Sequence, residues 1–119
     1  MSVYLVVEPV SIIAMDLGAS IREFDPSAQI IVAQSADTAV RALAGQDAVG
    51  VAFLHMDPCG LATGPLAAGL AARGAVCVFM GEAAERAAQT GILLLERPFS
   101  TATVADLLAR IVPEDRVPA

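Results

Sequence analysis

What most constrains this chain is an alternation. Short, wholly apolar blocks rich in Val, Ile and Leu recur along it, and between them lie segments whose apolar residues repeat at helical spacing. Val3 to Val7 has no polar face, the pattern of a strand covered on both sides. Ser11 is placed to cap a helix whose apolar side is Ile13, Leu17, Ile21 and Phe24, and Asp25-Pro26 stops it. Gln29 to Ala33 reads as a second strand, followed by a helix capped by Ser35 with Ala36, Val40 and Leu43 on one side. Val49 to Leu54 is a third apolar strand, and it runs into the turn-rich segment Met56-Asp57-Pro58-Cys59-Gly60. Pro65 suits the first turn of a helix through Leu66 and Leu70 to Ala72, which Gly74 ends in the left-handed conformation. Ala75 to Met80 is strand four, Glu82 to Thr90 a short helix with Gly91 behind it, and Ile92 to Leu95 strand five. Ser100 caps a last helix with Val104, Leu107, Leu108 and Ile111 facing inward, closed by Pro113. Five strands, each followed by a helix, require right-handed crossovers and a parallel sheet covered on both faces. The expected fold is a doubly wound α/β domain over residues 1–112, with a flexible tail at 113–119.

Composition narrows the function classes. A chain of 119 residues has room for one core, and a hydrophobic share of 56% excludes a disordered chain. About a fifth of the residues are Ala, which favours closely packed helices over a β-sandwich. All 7 basic residues are Arg, set against 13 acidic ones, so no cationic surface is expected to meet nucleic acid. The apolar stretches are interrupted by Glu8, Asp16, Asp47, Asp57, Arg73 and Glu96, and none reaches the roughly 18–20 residues of a membrane span. Met1-Ser2-Val3-Tyr4 lacks the positive flank of a signal peptide, so the cytoplasm is the expected location. There Cys59 and Cys77 are expected to be small buried hydrophobes, not a disulfide or a zinc site. Glu8-Pro9 stands where a dinucleotide fold has its glycines, and Gly60 and Gly64 lack the spacing of a phosphate loop, so no cofactor is expected.

In parallel sheets of this kind, ligands and chemistry gather beyond the carboxyl ends of the strands. Those ends are Glu8 and Pro9, Leu54 to Asp57, Met80 and Gly81, and Glu96 to Phe99. Three segments there stand out: Arg97-Pro98-Phe99-Ser100 before a capped amphipathic helix, Val6-Val7-Glu8 after the first strand, and Met56 and Pro58 after the third. In this order they resemble the receiver domain of bacterial response regulators, of the chemotaxis-regulator type. That family has Lys-Pro-Phe-Ser/Thr, a hydrophobic pair before two acids, and a Met-Pro turn at these places. The resemblance covers nearly the whole chain. It implies the flavodoxin-like (βα)5 fold with strand order 2-1-3-4-5, and a cis peptide bond at Arg97-Pro98.

The family's chemistry needs two acids for Mg²⁺, an acceptor Asp ending strand three, a hydroxyl ending strand four and a Lys ending strand five. Carried over residue by residue, Glu8 keeps one acid and Pro9 replaces the other, offering no oxygen to a cation that demands oxygen ligands, so metal binding should be weak or absent. Counting back from Pro58 by the family's spacing places the acceptor at Leu54, which has no nucleophile. The hydroxyl position falls on Met80, the switch aromatic on Leu94, and the cation survives as Arg97. The resemblance therefore implies a degenerate pocket of Glu8, Pro9, Leu54, Met80 and Arg97, with no catalytic residue.

Several readings stay open at the level of sequence. Asp57 is either an unconventional phosphoacceptor or a turn residue whose carboxylate caps nearby N–H groups. His55, the one histidine, has no acid or thiol grouped with it in the sequence that would make it a phosphocarrier or ligand. Arg97 either pairs with Glu8 across the pocket or extends to solvent, where it could take a small anionic ligand. Glu82, Glu85, Arg86, Asp106 and Arg110 form either a solvated face or an interface. The function expected is that of a pseudo-receiver, a phosphorylation-independent, non-enzymatic interaction module in two-component-type signalling. Its expected partner is a signalling protein, with homodimerisation a further expectation.

Overall fold

The residues that alternate in sequence separate in space. The computed structural model describes residues 2–61, 64–87 and 92–111. The expected tail at 113–119, Gly91 and the end of the helix expected to reach Thr90 lie outside them. Five strands, β1 (Val3–Val7), β2 (Gln29–Ala33), β3 (Val51–His55), β4 (Val76–Met80) and β5 (Leu93–Leu95), form one sheet in the order β2-β1-β3-β4-β5. Every neighbouring pair is parallel. This is the doubly wound order expected.

Successive side chains of a strand point to opposite faces, and this divides the core in two. Tyr4 and Val6 of β1, Val51 and Phe53 of β3 and Val78 of β4 pack under α1 (Ser11–Phe24) and α6 (Thr101–Ile111). Leu17 and Ile21 of α1 and Val104, Leu107 and Leu108 of α6 complete that layer. On the other face Leu5, Val7, Ala52, Leu54 and Phe79 meet Leu43 of α2 (Ala36–Leu43) and Leu66 and Leu70 of α4 (Pro65–Ala72). Among the described residues no helix is long and apolar enough to cross a membrane.

The helix ends follow local chemistry, with instructive exceptions. Ser35 caps α2, its Oγ accepting the Thr38 N–H at 3.2 Å, and Ser100 caps α6, accepting the Thr103 N–H at 3.1 Å. Pro65 opens α4, and Gly74 follows it at φ +72°. Ser11, expected as a cap, is instead the first helical residue of α1, behind Val10. The carboxylate of Glu8 takes up the Val10 N–H at 2.9 Å, so an acid anchors this helix start. The third strand begins and ends later than Val49 to Leu54, because pairing starts where Val51 stands opposite Tyr4 and continues until His55 stands opposite Met80. The expected loop after it contains one helical turn, α3 (Pro58–Leu61). Asp57 precedes that turn and accepts the Cys59 N–H at 2.9 Å, as a turn residue does. The helix after β4, α5, is described over Glu82–Ala87. Cys77 is half-buried, whereas Cys59 is exposed rather than buried as expected.

Candidate functional site

The carboxyl ends of β1, β3, β4 and β5 meet at one edge of the sheet. Glu8 follows β1 and is 0% exposed, a burial that carboxylates rarely tolerate without a donor. Both of its oxygens are engaged. Oε2 accepts the Val10 N–H, and Oε1 accepts the Nδ1–H of His55 at 2.6 Å, short enough for a charge-assisted bond. His55 points at Glu8 because of strand alternation: it continues the row of Val51 and Phe53, just as Glu8 continues the row of Tyr4 and Val6.

Alternation also corrects the expected pocket. Leu54, counted as the acceptor position, turns to the opposite face and packs with Leu5, Val7 and Phe79 at 0% exposure. The strand-end position facing Glu8 is held one residue later, by His55. Counting four residues back from Pro58 passes it, because His55 lies three residues before that proline. The expectation that His55 lacks an acid partner fails for a related reason, since its acid comes from β1, 47 residues away in sequence.

Gly81 makes room for the histidine ring. It has φ +95°, and a Cβ there would lie 2.5 Å from Nε2 and 2.6 Å from Cδ2 of His55. Nε2 has no partner among the described residues, and no buried side-chain nitrogen or oxygen among them is left unsatisfied. Met80, at the expected hydroxyl position, is buried opposite His55 in the strand register and offers only a thioether. Pro9 is exposed and Leu94 is half-buried against the second core layer.

Arg97 does not reach Glu8, which corrects the expected pairing. Its Nε donates to Oε2 of Glu85 at 3.1 Å, its Nη2 to Oε1 at 3.4 Å, and its backbone N–H to Oε2 at 3.3 Å. This clasp ties the Arg97-Pro98 segment, whose peptide bond is cis, to α5. The hydrogen bond from Arg97 holds the Glu85 carboxyl below its ordinary range, and the field of His55 adds to the shift. Arg97 is thus already matched to an anion. Its side chain is 46% exposed and that of Glu85 29%, a setting in which an ion pair contributes little stability. Of the other expected interface residues, Glu82 and Arg86 pair along α5 at 3.4 Å, and Asp106 and Arg110 are exposed on α6.

The donor set does not suit Mg²⁺. Glu8 supplies one carboxylate, Pro9 no side-chain oxygen, and His55 a nitrogen, whereas this ion selects oxygen. Among the described residues no three His, Cys, Asp or Glu side chains are grouped to hold a metal ion. Sequence reasoning missed His55, Gly81 and Glu85 as members of this site. Extending the period of two from Val51 and Phe53 would have found His55, while nothing local marks Glu85 as the partner of Arg97.

None of the protein-family models matches the chain, and no curated protein does. Among solved structures it is similar to a response regulator receiver protein from Sinorhizobium medicae WSM419. The two are 18% identical with a TM-score of 0.61, over 92% of this chain and 93% of that one. It is also similar to the pilus assembly protein CpaE from Caulobacter crescentus CB15, at 14% identity and a TM-score of 0.61, over 92% of this chain and 97% of that one. With this strand order and this likeness, the chain has the receiver fold.

Proposed function

We propose that this protein is a degenerate receiver, a non-enzymatic signalling module that acts through protein–protein contact and independently of phosphoaspartate and Mg²⁺. One observation carries the reading: the imidazole of His55 sits on the buried carboxylate of Glu8, at the strand end where a working receiver needs its acceptor acid. Leu54 is sequestered on the other face, and Met80 supplies no hydroxyl for a phosphoryl oxygen. Asp57, two residues beyond His55 in sequence, is engaged in starting α3. Contact as the mode of action is supported by the surface, where Val10, Ile12 and Met15 are exposed at the start of α1 and Val32 on the edge strand β2. The partner in this reading is a protein of a two-component-type pathway, or a second copy of the chain, in the cytoplasm.

The test is incubation with acetyl phosphate and Mg²⁺, read by intact mass. The expected mass is unchanged, and a stoichiometric gain of one phosphoryl group sinks the proposal.

A further inference from the structure

We propose that His55 diverts Arg97 from Glu8: Glu8, Glu85, His55 and Arg97 at this end of the sheet form a partner-exchange device. In it, loss of the Glu8–His55 contact moves Arg97 from Glu85 to Glu8 and releases α5. The inference rests on the reading above in taking the pocket as free of metal and phosphoryl group.

The inequality between the two acids supplies the driving force. Glu8 is fully buried, so the donors in contact with it replace water it has lost, and removing one leaves a buried acceptor unsatisfied. Glu85 keeps part of its hydration and gains little from Arg97. Given a choice, Arg97 belongs with Glu8. It sits with Glu85 because His55 already occupies Oε1 of Glu8 and its ring, seated over Gly81, fills the approach.

The geometry permits the exchange. β1 and β5 are three strand spacings apart, roughly 14 Å at about 4.8 Å each, so the exchange takes an extended arginine together with a shift of the segment after β5 toward the pocket once the clasp on Glu85 is released. Arg97 stands two residues beyond Leu95, whose place is in register with Met80 and, through it, with His55. Arg97 already feels both acids: Glu85 raises its pKa most, with Glu82 and Glu8 adding to it. The consequence falls on α5, since the clasp on Glu85 ties this helix to the segment after β5. The pocket thus controls the Glu82–Ala87 surface without any phosphoryl group.

The test is the Nε–Hε resonance of Arg97 by NMR, with each acid neutralised in turn. In the native chain it is expected to move on Glu85→Gln and to be insensitive to Glu8→Gln. In His55→Ala the dependence is expected to reverse, and amide exchange across α5 to rise several-fold while α2 and α4 stay unchanged. His55→Val, which fills the strand position but offers no donor to Glu8, is expected to give the same reversal should His55→Ala fail to fold. An Arg97 resonance that still follows Glu85 in these variants overturns the proposal. Neither phosphodonor nor Mg²⁺ is used, so this failure leaves the reading of the pocket standing. A phosphoryl gain in the mass test ends that reading whatever Arg97 does.

Discussion

Among the described residues two carboxylates are buried, at opposite ends of β1, and they are satisfied in opposite ways. Asp25, 2% exposed, lies at the end where β1 begins. Its Oδ2 accepts the hydroxyl of Tyr4 at 3.2 Å, and its Oδ1 accepts the backbone N–H and hydroxyl of Ser27 at 3.3 and 3.0 Å. All three donors are neutral. Glu8, where β1 ends, is held by an imidazole from another strand and lies in the field of an arginine clasped to a third acid. Burial of an acid alone does not mark a site. What separates the two is the end of the sheet they occupy and whether an arginine lies in their field.

The largest expected effect tests the structural half of this contrast. Asp25→Ala leaves the buried Tyr4 hydroxyl and the Ser27 N–H without their acceptor, and is expected to cost about 3 kcal/mol in urea denaturation. The His55 ring resonances should stay where they are. A cost below about 1 kcal/mol, or a displaced His55 signal, breaks the separation of the two ends.

The same contrast governs what was legible in the sequence. Strands and helices could be read because each block's period is local: Val3 to Val7 and Gln29 to Ala33 are paired as strands over those residues, and Ser35, Pro65, Gly74 and Ser100 mark helix ends by their own chemistry. The candidate site was legible only in part. Glu8, Met80 and Arg97 could be placed at the strand ends, but Leu54 was misplaced because counting one residue too far back from Pro58 transfers the position to the other face of the sheet. The partners of Glu8 and Arg97 were hidden for a different reason. The choice between Glu8, Glu85, His55 and solvent depends on relative burial, and burial is a property of the assembled fold.

The next effect in size is alkaline. Burial, then the charge of Asp25, pushes the Tyr4 hydroxyl up to about 12 from its ordinary 10.0. A group whose value is raised on folding favours the protonated native state. Its contribution is therefore complete below pH 10 and is lost as the pH rises toward about 12. Two pH units correspond to roughly 2–3 kcal/mol. The expected outcome is a decline in stability over this window that Tyr4→Phe flattens. Cys77, raised by burial, adds a decline of its own that survives in Tyr4→Phe. An unchanged alkaline slope in that variant would remove Tyr4 and Asp25 as a coupled pair.

The smallest effect lies at the other end of the sheet and has the opposite sign. Arg97 holds Glu85 below its ordinary 4.5, so the pair stabilises the native state above that value and its contribution is lost as the pH falls through the depressed one. In Arg97→Ala this acid-side loss should disappear. Because the pair is solvent-exposed, the difference between native chain and variant should be smaller than the Tyr4 effect and should shrink in about 1 M salt, where screening acts over roughly 3 Å. Acid titrations of both chains at low and high salt measure it. A difference that survives high salt would mean that Arg97 is paired with a buried acid, and Glu8 is the one within its field. The clasp on Glu85 would then be the minor arrangement, and the two ends of β1 would be alike in binding their acids permanently.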